Sequence, residues 1–185
     1  GETVLVLGAA GGCGSAAVQI AKAVGATVIA GASTAEKCEL ARSFGADEVV
    51  NYREADLRDS VMTLTDSKGV GVVFDPVGDD LFKPALRCVG WNGRYLVIGF
   101  AGGEIPQVGI NYAILKCLSI VGVAYGMSAI NDPAMNAGNF EQLFAWYDQG
   151  LLKPHIGKEF RCAELPDALR DMPAGNALGK SVGQF

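Results

Sequence analysis

The chain is poor in the residues from which most catalytic and metal centres are assembled. Its 185 residues include one histidine, His155, so neither a convincing Ser–His–Asp set nor a histidine-rich metal site can be built from it. The five cysteines, Cys13, Cys38, Cys88, Cys117 and Cys162, are odd in number and widely spaced. No Cys-x-x-Cys pair is present to suggest a zinc knuckle or a redox dithiol, and the cysteines read as reduced core residues of a cytoplasmic protein. Positive charge is in deficit: 15 Lys and Arg against 20 Asp and Glu leave a net charge of −5, which argues against a nucleic-acid or anionic-membrane surface. No apolar run reaches the roughly 18 residues a membrane span needs, because Lys116 interrupts the best candidate. Internal repeats and low-complexity tracts are absent as well. The chain has no initiator Met, and its first strand begins two residues in; it is expected to be a piece of something longer.

What is present begins with Thr3-Val-Leu-Val-Leu7, an apolar and largely β-branched run that reads as a strand buried on both faces. Four glycines in the next seven positions, Gly8, Gly11, Gly12 and Gly14, allow a tight turn and close approach to a ligand. The segment from Ser15 to Val24 then has helical composition and period. Strand, glycine turn and helix start together make an anion site, since free N–H groups and the helix dipole converge there. This is the opening of a dinucleotide-binding fold.

Further strand-like runs at 27–30, 48–51, 70–75, 93–98 and 119–123 alternate with helix-like ones at 35–43, 55–65, 81–89 and 110–117. The alternation predicts a doubly wound α/β (Rossmann-type) parallel sheet of six strands over residues 1–126. Residues 127–185 form a second segment that completes or leaves this domain. In it, 127–139 reads as a loop or frayed helix start, 140–149 as a helix, 153–157 as a turn and 164–172 as a helix with Pro166 in its first turn. The extended piece 180–185 has no place in a six-stranded sheet and suits a tail returning to a missing catalytic domain.

The end of the second strand selects the nucleotide. Folds that prefer NAD place a carboxylate there, about 20 residues past the glycines, to bind the ribose hydroxyls. Here the strand ends Ala30-Gly-Ala-Ser-Thr34, without a carboxylate. Ser33 offers a hydroxyl, Lys37 a countercharge from the following helix, and Tyr52 and Arg53 follow the third strand beside the same pocket. These residues point to NADPH.

Together these segments resemble the cofactor-binding domain of zinc-independent medium-chain dehydrogenases/reductases, in the quinone oxidoreductase branch that includes zeta-crystallin. The resemblance is carried by GETVLVLGAAGGCG, AVQIAKAVGATVIA, STAEK, GADEVVNYRE, VVFDPVG, GGEIP and LLKPHIG, and runs along essentially the whole chain. It implies diphosphate contacts from the backbone of Ala10, Gly11, Gly12, Cys13 and Gly14, and 2′-phosphate recognition by Ser33, Lys37 and Tyr52. It also implies a nicotinamide lined by Ile98, Gly99, Phe100, Val123, Ala124 and Tyr125. The implied reaction is hydride transfer to a quinone or activated alkene, with no metal and no catalytic side chain from this half. The implied assembly is a homodimer joined through strand 119–123, an apolar sheet edge without proline or charge. Three positions depart from the family pattern: Cys13 replaces an aliphatic residue, Asp79 a glycine or neutral residue, and Asn176 a basic residue expected to contribute a phosphate contact.

Two other readings are open at this point. Tyr112 and Lys116 have the Tyr-x-x-x-Lys spacing of short-chain dehydrogenases, in which the ammonium would lower the tyrosine pKa. Gly8-x-x-x-Gly12-x-Gly14 matches their turn, but the serine expected about 13 residues before the tyrosine is missing from 96–103. The other reading is an NADPH-sensing or scaffolding module without catalysis. Asp75 is expected to cap the turn after the fourth strand, and His155 to serve a loop or packing role.

Overall fold

The computed structural model describes residues 1–171 and 178–184. Six parallel strands, β1 (Thr3–Leu7), β2 (Thr27–Ala32), β3 (Glu48–Asn51), β4 (Val70–Asp75), β5 (Val89–Val97) and β6 (Ser119–Gly122), form one sheet in the order β3-β2-β1-β4-β5-β6. The order reverses between β1 and β4. In such sheets that switch point opens a crevice at the carboxyl ends of the strands.

Helices α1 (Gly12–Ala23), α2 (Ala35–Ser43), α3 (Leu57–Leu64) and α4 (Phe82–Cys88) cover both faces. Successive side chains of a strand point to opposite faces, so β1 feeds two cores at once. Leu5 and Leu7 pack with Leu57 and Val61 of α3 and Phe82 and Leu86 of α4. Val6 packs with Val18 of α1 and Ala41 of α2 on the other side. Local caps set the helix starts: the Thr34 hydroxyl accepts from the Lys37 N–H, and the Asp56 carboxylate from the Asp59 N–H.

β1, α2, β3 and β4 begin and end where the sequence predicts. β5 starts four residues earlier than expected, at Val89, because its pairing with β4 is irregular between Val70 and Val72, where Asn92 turns through φ +57°. The stretch expected to be irregular, 127–139, is helical instead. It holds α6 (Tyr125–Asn131) and the start of α7 (Pro133–Asp148). The Asp132 carboxylate accepts from the Met135 N–H and Pro133 occupies the first turn, a start signal that outweighs the surrounding glycine and asparagine. A short helix α5 (Asn111–Leu115) precedes β6.

The tail does lie outside the six-stranded sheet. Its strands β7 (Ile156–Arg161) and β8 (Lys180–Gln184) pair with each other in parallel, with α8 (Leu165–Asp171) between them. Two sets of contacts hold this unit to α1 and the glycine turn before it. The Gln19 amide donates to the Lys153 carbonyl at 3.2 Å and accepts from the Lys153 N–H at 2.6 Å. The Gly179 N–H donates to the Ala10 carbonyl at 2.8 Å. His155 rests on Phe44, with ring centroids 5.4 Å apart. The expected Asn176 position lies outside the described residues.

Candidate nucleotide-binding site

The glycine turn is built by close approach. The Gly11 N–H donates to the Gly8 carbonyl at 2.9 Å, and Gly8 has φ +59°. A Cβ on Gly14 would collide with the Gly8 carbonyl oxygen, so only glycine lets α1 start against the end of β1. Gly11 caps α1 without any side-chain hydrogen bond, and the first turn of α1 carries no acidic residue. Its N–H groups and the positive end of its dipole therefore face outward without internal compensation.

In front of this turn lies a cleft of about 840 Å³. Ala10, Gly11, Gly12, Cys13 and Gly14 line one part of it, Ser33, Lys37 and Tyr52 a second, and Ile98, Gly99 and Phe100 a third. The fold thus gathers residues from the ends of β1, β2, β3 and β5 around one space.

At the β2 end, Lys37 stands in the first turn of α2, and its ammonium donates to the Ser33 hydroxyl at 3.2 Å. Burial pushes the Tyr52 phenol above its ordinary pKa, opposed by a hydrogen bond with Ser33 and by the nearby Arg53 charge. Arg53 and Thr34 share this wall. The pocket at this end is cationic and hydroxylic, with Lys37 and Arg53 as its charged lining residues.

Val123, Ala124 and Tyr125 correct the expectation, because they are exposed and do not line the cleft. They follow β6, one strand further out. The loop after β5 instead folds back over β4: the Ala101 and Gly102 N–H groups donate to the Pro76 and Val77 carbonyls. That loop ends the cleft on the β5 side, with Phe100, Ala101 and Gly102 as its wall.

Pro76 and Val77, which are not among the residues expected at the site, also line the cleft. A Pro-x-Gly turn directly after a central strand at the switch point was the available signal. Asp75, 3% exposed, organises that turn. One of its oxygens accepts from the Val77 and Gly78 N–H groups, at 2.8 and 2.9 Å, and the other from the Tyr95 hydroxyl at 2.5 Å. Asp75 therefore caps the turn, as expected, with both oxygens engaged. Asp79, where the family favours glycine or a neutral residue, has φ +54°, a conformation in which glycine is the easier choice.

The Tyr112–Lys116 pair does not form a proton-transfer site. The Lys116 ammonium donates to the Arg87 and Val89 carbonyls, at 2.9 and 2.7 Å, while half-buried Tyr112 packs against the core. Val89 begins β5 opposite Val70, whereas the cleft lies past Val97, opposite Asp75; the five residue steps of β4 between them span about 17 Å.

Among the described residues no helix is long and apolar enough to cross a membrane. Comparison with known proteins adds the family. The zinc-binding dehydrogenase family model matches residues 12–143. Quinone oxidoreductase-like protein 2 of Rattus norvegicus is 40% identical over 97% of this chain, which covers 52% of that protein. The quinone oxidoreductase of Pseudomonas aeruginosa is 34% identical, with 98% and 56% covered. Among solved structures, the Pseudomonas syringae quinone oxidoreductase superposes with a TM-score of 0.90 at 30% identity, over 98% of this chain and 56% of that one. The Escherichia coli quinone oxidoreductase complexed with NADPH gives 0.87 at 29%, over the same shares. The chain spans about half the length of the relatives it matches. Among the described residues no group of three or more His, Cys, Asp or Glu side chains comes together. With the model match covering well over half of its length and quinone oxidoreductases aligned along nearly all of it, this chain belongs to the zinc-binding dehydrogenase family, as a cofactor-binding domain of the quinone oxidoreductase type.

Proposed function

We propose that this chain is the NADPH-binding portion of an oxidoreductase that reduces a quinone or an activated alkene. One observation carries the reading: a glycine turn at a helix N-terminus and a Ser33–Lys37 pair without a carboxylate share a single cleft. The cleft fits the cofactor, since backbone donors stand where a diphosphate needs them and a cation stands where a 2′-phosphate would. When bound, NADPH supplies a hydride from nicotinamide C4. The chain's own residues bind and orient. The Ala10–Gly14 backbone holds the diphosphate, Ser33, Lys37 and Tyr52 hold the 2′-phosphate, and Ile98, Gly99 and Phe100 lie along the nicotinamide. A conjugated acceptor needs positioning more than a strong protein base, which agrees with Asp75 being fully engaged in its turn. The substrate class is supported by the names of relatives, quinone oxidoreductases and a 2-haloacrylate reductase of Burkholderia.

The dinucleotide-binding unit comprises 1–126, with 127–185 completing it. The chain's five cysteines are free, with Cys38 and Cys88 buried as core residues and Cys13, Cys117 and Cys162 exposed against that expectation; free thiols suit a reducing cytoplasm. A second copy pairs through β6, the exposed sheet edge that carries Ile120 and Val121. The reading is tested by Lys37→Ala with titration calorimetry. Loss of a charge-assisted contact of about 1.5–3 kcal/mol weakens NADPH by about ten- to a hundredfold, while NADH changes little. Equal loss for both coenzymes overturns the 2′-phosphate assignment.

A further inference from the structure

Helix α7 turns the wrong residues to solvent for a helix with only this chain to pack on. Asn136, Asn139, Leu143 and Trp146, at i, i+3, i+7 and i+10, are half-buried and form the stripe that faces the body of the molecule. The Tyr125 hydroxyl of α6 donates to Asn136 at 2.9 Å, and Leu143 lines a small cavity with Ile20 of α1. Phe140, Phe144 and Tyr147, at i, i+4 and i+7, share the neighbouring, outward face and are 46%, 63% and 57% exposed. The two phenylalanine rings lie side by side, with centroids 6.0 Å apart. A buried aromatic side chain removes about 150–250 Å² from water. Two asparagines inside and three aromatics outside reverse the order that burial favours.

The same deficit runs through the rest of the C-terminal segment. No residue of α6, α7, β7 or β8 is buried. β7 and β8 pair in parallel as a sheet of two strands, whereas parallel strands are ordinarily covered on both faces and need further strands for stability. The segment is anchored to the rest of the chain mainly at the end of α7, where Gln19 holds Lys153. Regular elements without buried residues amount to one side of a core.

The lengths of the relatives indicate what forms the other side. This chain spans 52% of the Rattus norvegicus relative and 56% of the Pseudomonas syringae structure, so each carries nearly as much chain again. We propose that the outward face of α7, carried by Phe140, Phe144 and Tyr147, is a docking seat for the further domain that makes up the rest of that length. The occupant meets it with an apolar surface, since Glu141 and Asp148 are the only charged residues of the helix. A second copy has its place at the β6 edge instead. The seat is separate from the coenzyme cleft, whose lining includes none of the three aromatics.

Hydrogen exchange with mass spectrometry tests this on two proteins as they exist, this chain and the full-length quinone oxidoreductase of Pseudomonas aeruginosa. Amides of 133–148 exchange at least about tenfold faster in this chain than in the aligned segment of the longer protein, and the protection there is independent of protein concentration. In this chain, Phe140→Asp and Phe144→Asp lower the fluorescence of bound anilinonaphthalene sulfonate. Both keep the melting temperature within about 2 °C of wild type, because exposed side chains carry little of the stability. Equal exchange in the two proteins overturns the assignment. So does protection that grows with concentration, because a second copy would then be the occupant. A larger loss of melting temperature in both variants also overturns it, since the face would then be covered within this chain. Failure of wild type to bind NADPH would remove the cofactor reading and leave these outcomes unchanged, so the two failures are told apart.

Discussion

Tyr95→Phe isolates the buried hydrogen bond that holds one wall of the cleft. Tyr95 is fully buried, and its ring packs edge-on against Phe82 at 5.1 Å. Phenylalanine keeps that packing and removes one oxygen, so no cavity term of consequence enters. What disappears is the O–H donated to Asp75, whose other oxygen still accepts from Val77 and Gly78. A hydrogen bond to a charged group contributes about 1.5–3 kcal/mol, and the deserted carboxylate oxygen is left in the interior without a donor. A loss of about 2 kcal/mol lowers the melting temperature of a chain this size by about 4–8 °C. NADPH affinity changes by less than about threefold, since the bonds that place Val77 beside Gly8 survive. Scanning calorimetry at pH 7 with and without NADPH measures both. A melting temperature within about 1 °C of wild type would refute the reasoning, because a buried charged acceptor cannot lose its donor at so small a cost. The same substitution alters the alkaline limb. Burial, and then the Asp75 charge, raise the Tyr95 phenol above its ordinary value of 10.0. The folded state thus holds this proton more tightly than the unfolded one. The stabilisation is complete below pH 10 and is lost as pH climbs toward the folded value, and the variant lacks that part of the decline.

Cys88 acts in the same direction at lower pH. Burial pushes its thiol from 9.0 up to about 12, so wild type loses stability as pH rises from 9 toward 12. Urea midpoints at pH 8 and pH 10.5 should differ less in Cys88→Ala than in wild type, and an equal difference would exclude the thiol as a contributor. The proposed pairing through β6 predicts that the wild type sediments as a dimer at micromolar concentration and that Ile120→Lys, which places a charge on that edge, sediments as a monomer. An unchanged dimer would move the interface elsewhere on the molecule.

The local elements were legible because their signals are local. Thr3–Leu7 and Val70–Asp75 are apolar runs of strand length bounded by turn residues, and Thr34 caps α2 with its own hydroxyl. The same holds for the glycine turn, in which four glycines follow a strand directly. Ser33, Lys37 and Tyr52 line one end of the cleft together because the ends of adjacent strands β2 and β3 lie side by side. The start of α7 was missed where Gly126, Asn131 and Gly138 hid the Asp132–Pro133 start signal.

From the chain alone came the class of fold, the order of its elements, the glycine turn and the cationic end of the cleft, since each depends on residues within one strand–turn–helix unit. Tertiary structure decided which strand ends share the cleft, whose wall on the β5 side is the loop that folds back over Pro76 and Val77, with Val123, Ala124 and Tyr125 outside its lining. It alone engaged both oxygens of Asp75 through Tyr95, and it alone laid Lys180 across Gly12. Those arrangements join residues 20 to 168 positions apart through single hydrogen bonds or one van der Waals contact. Such contacts leave no periodicity in a sequence, because only the closed loop between the partners brings them within reach.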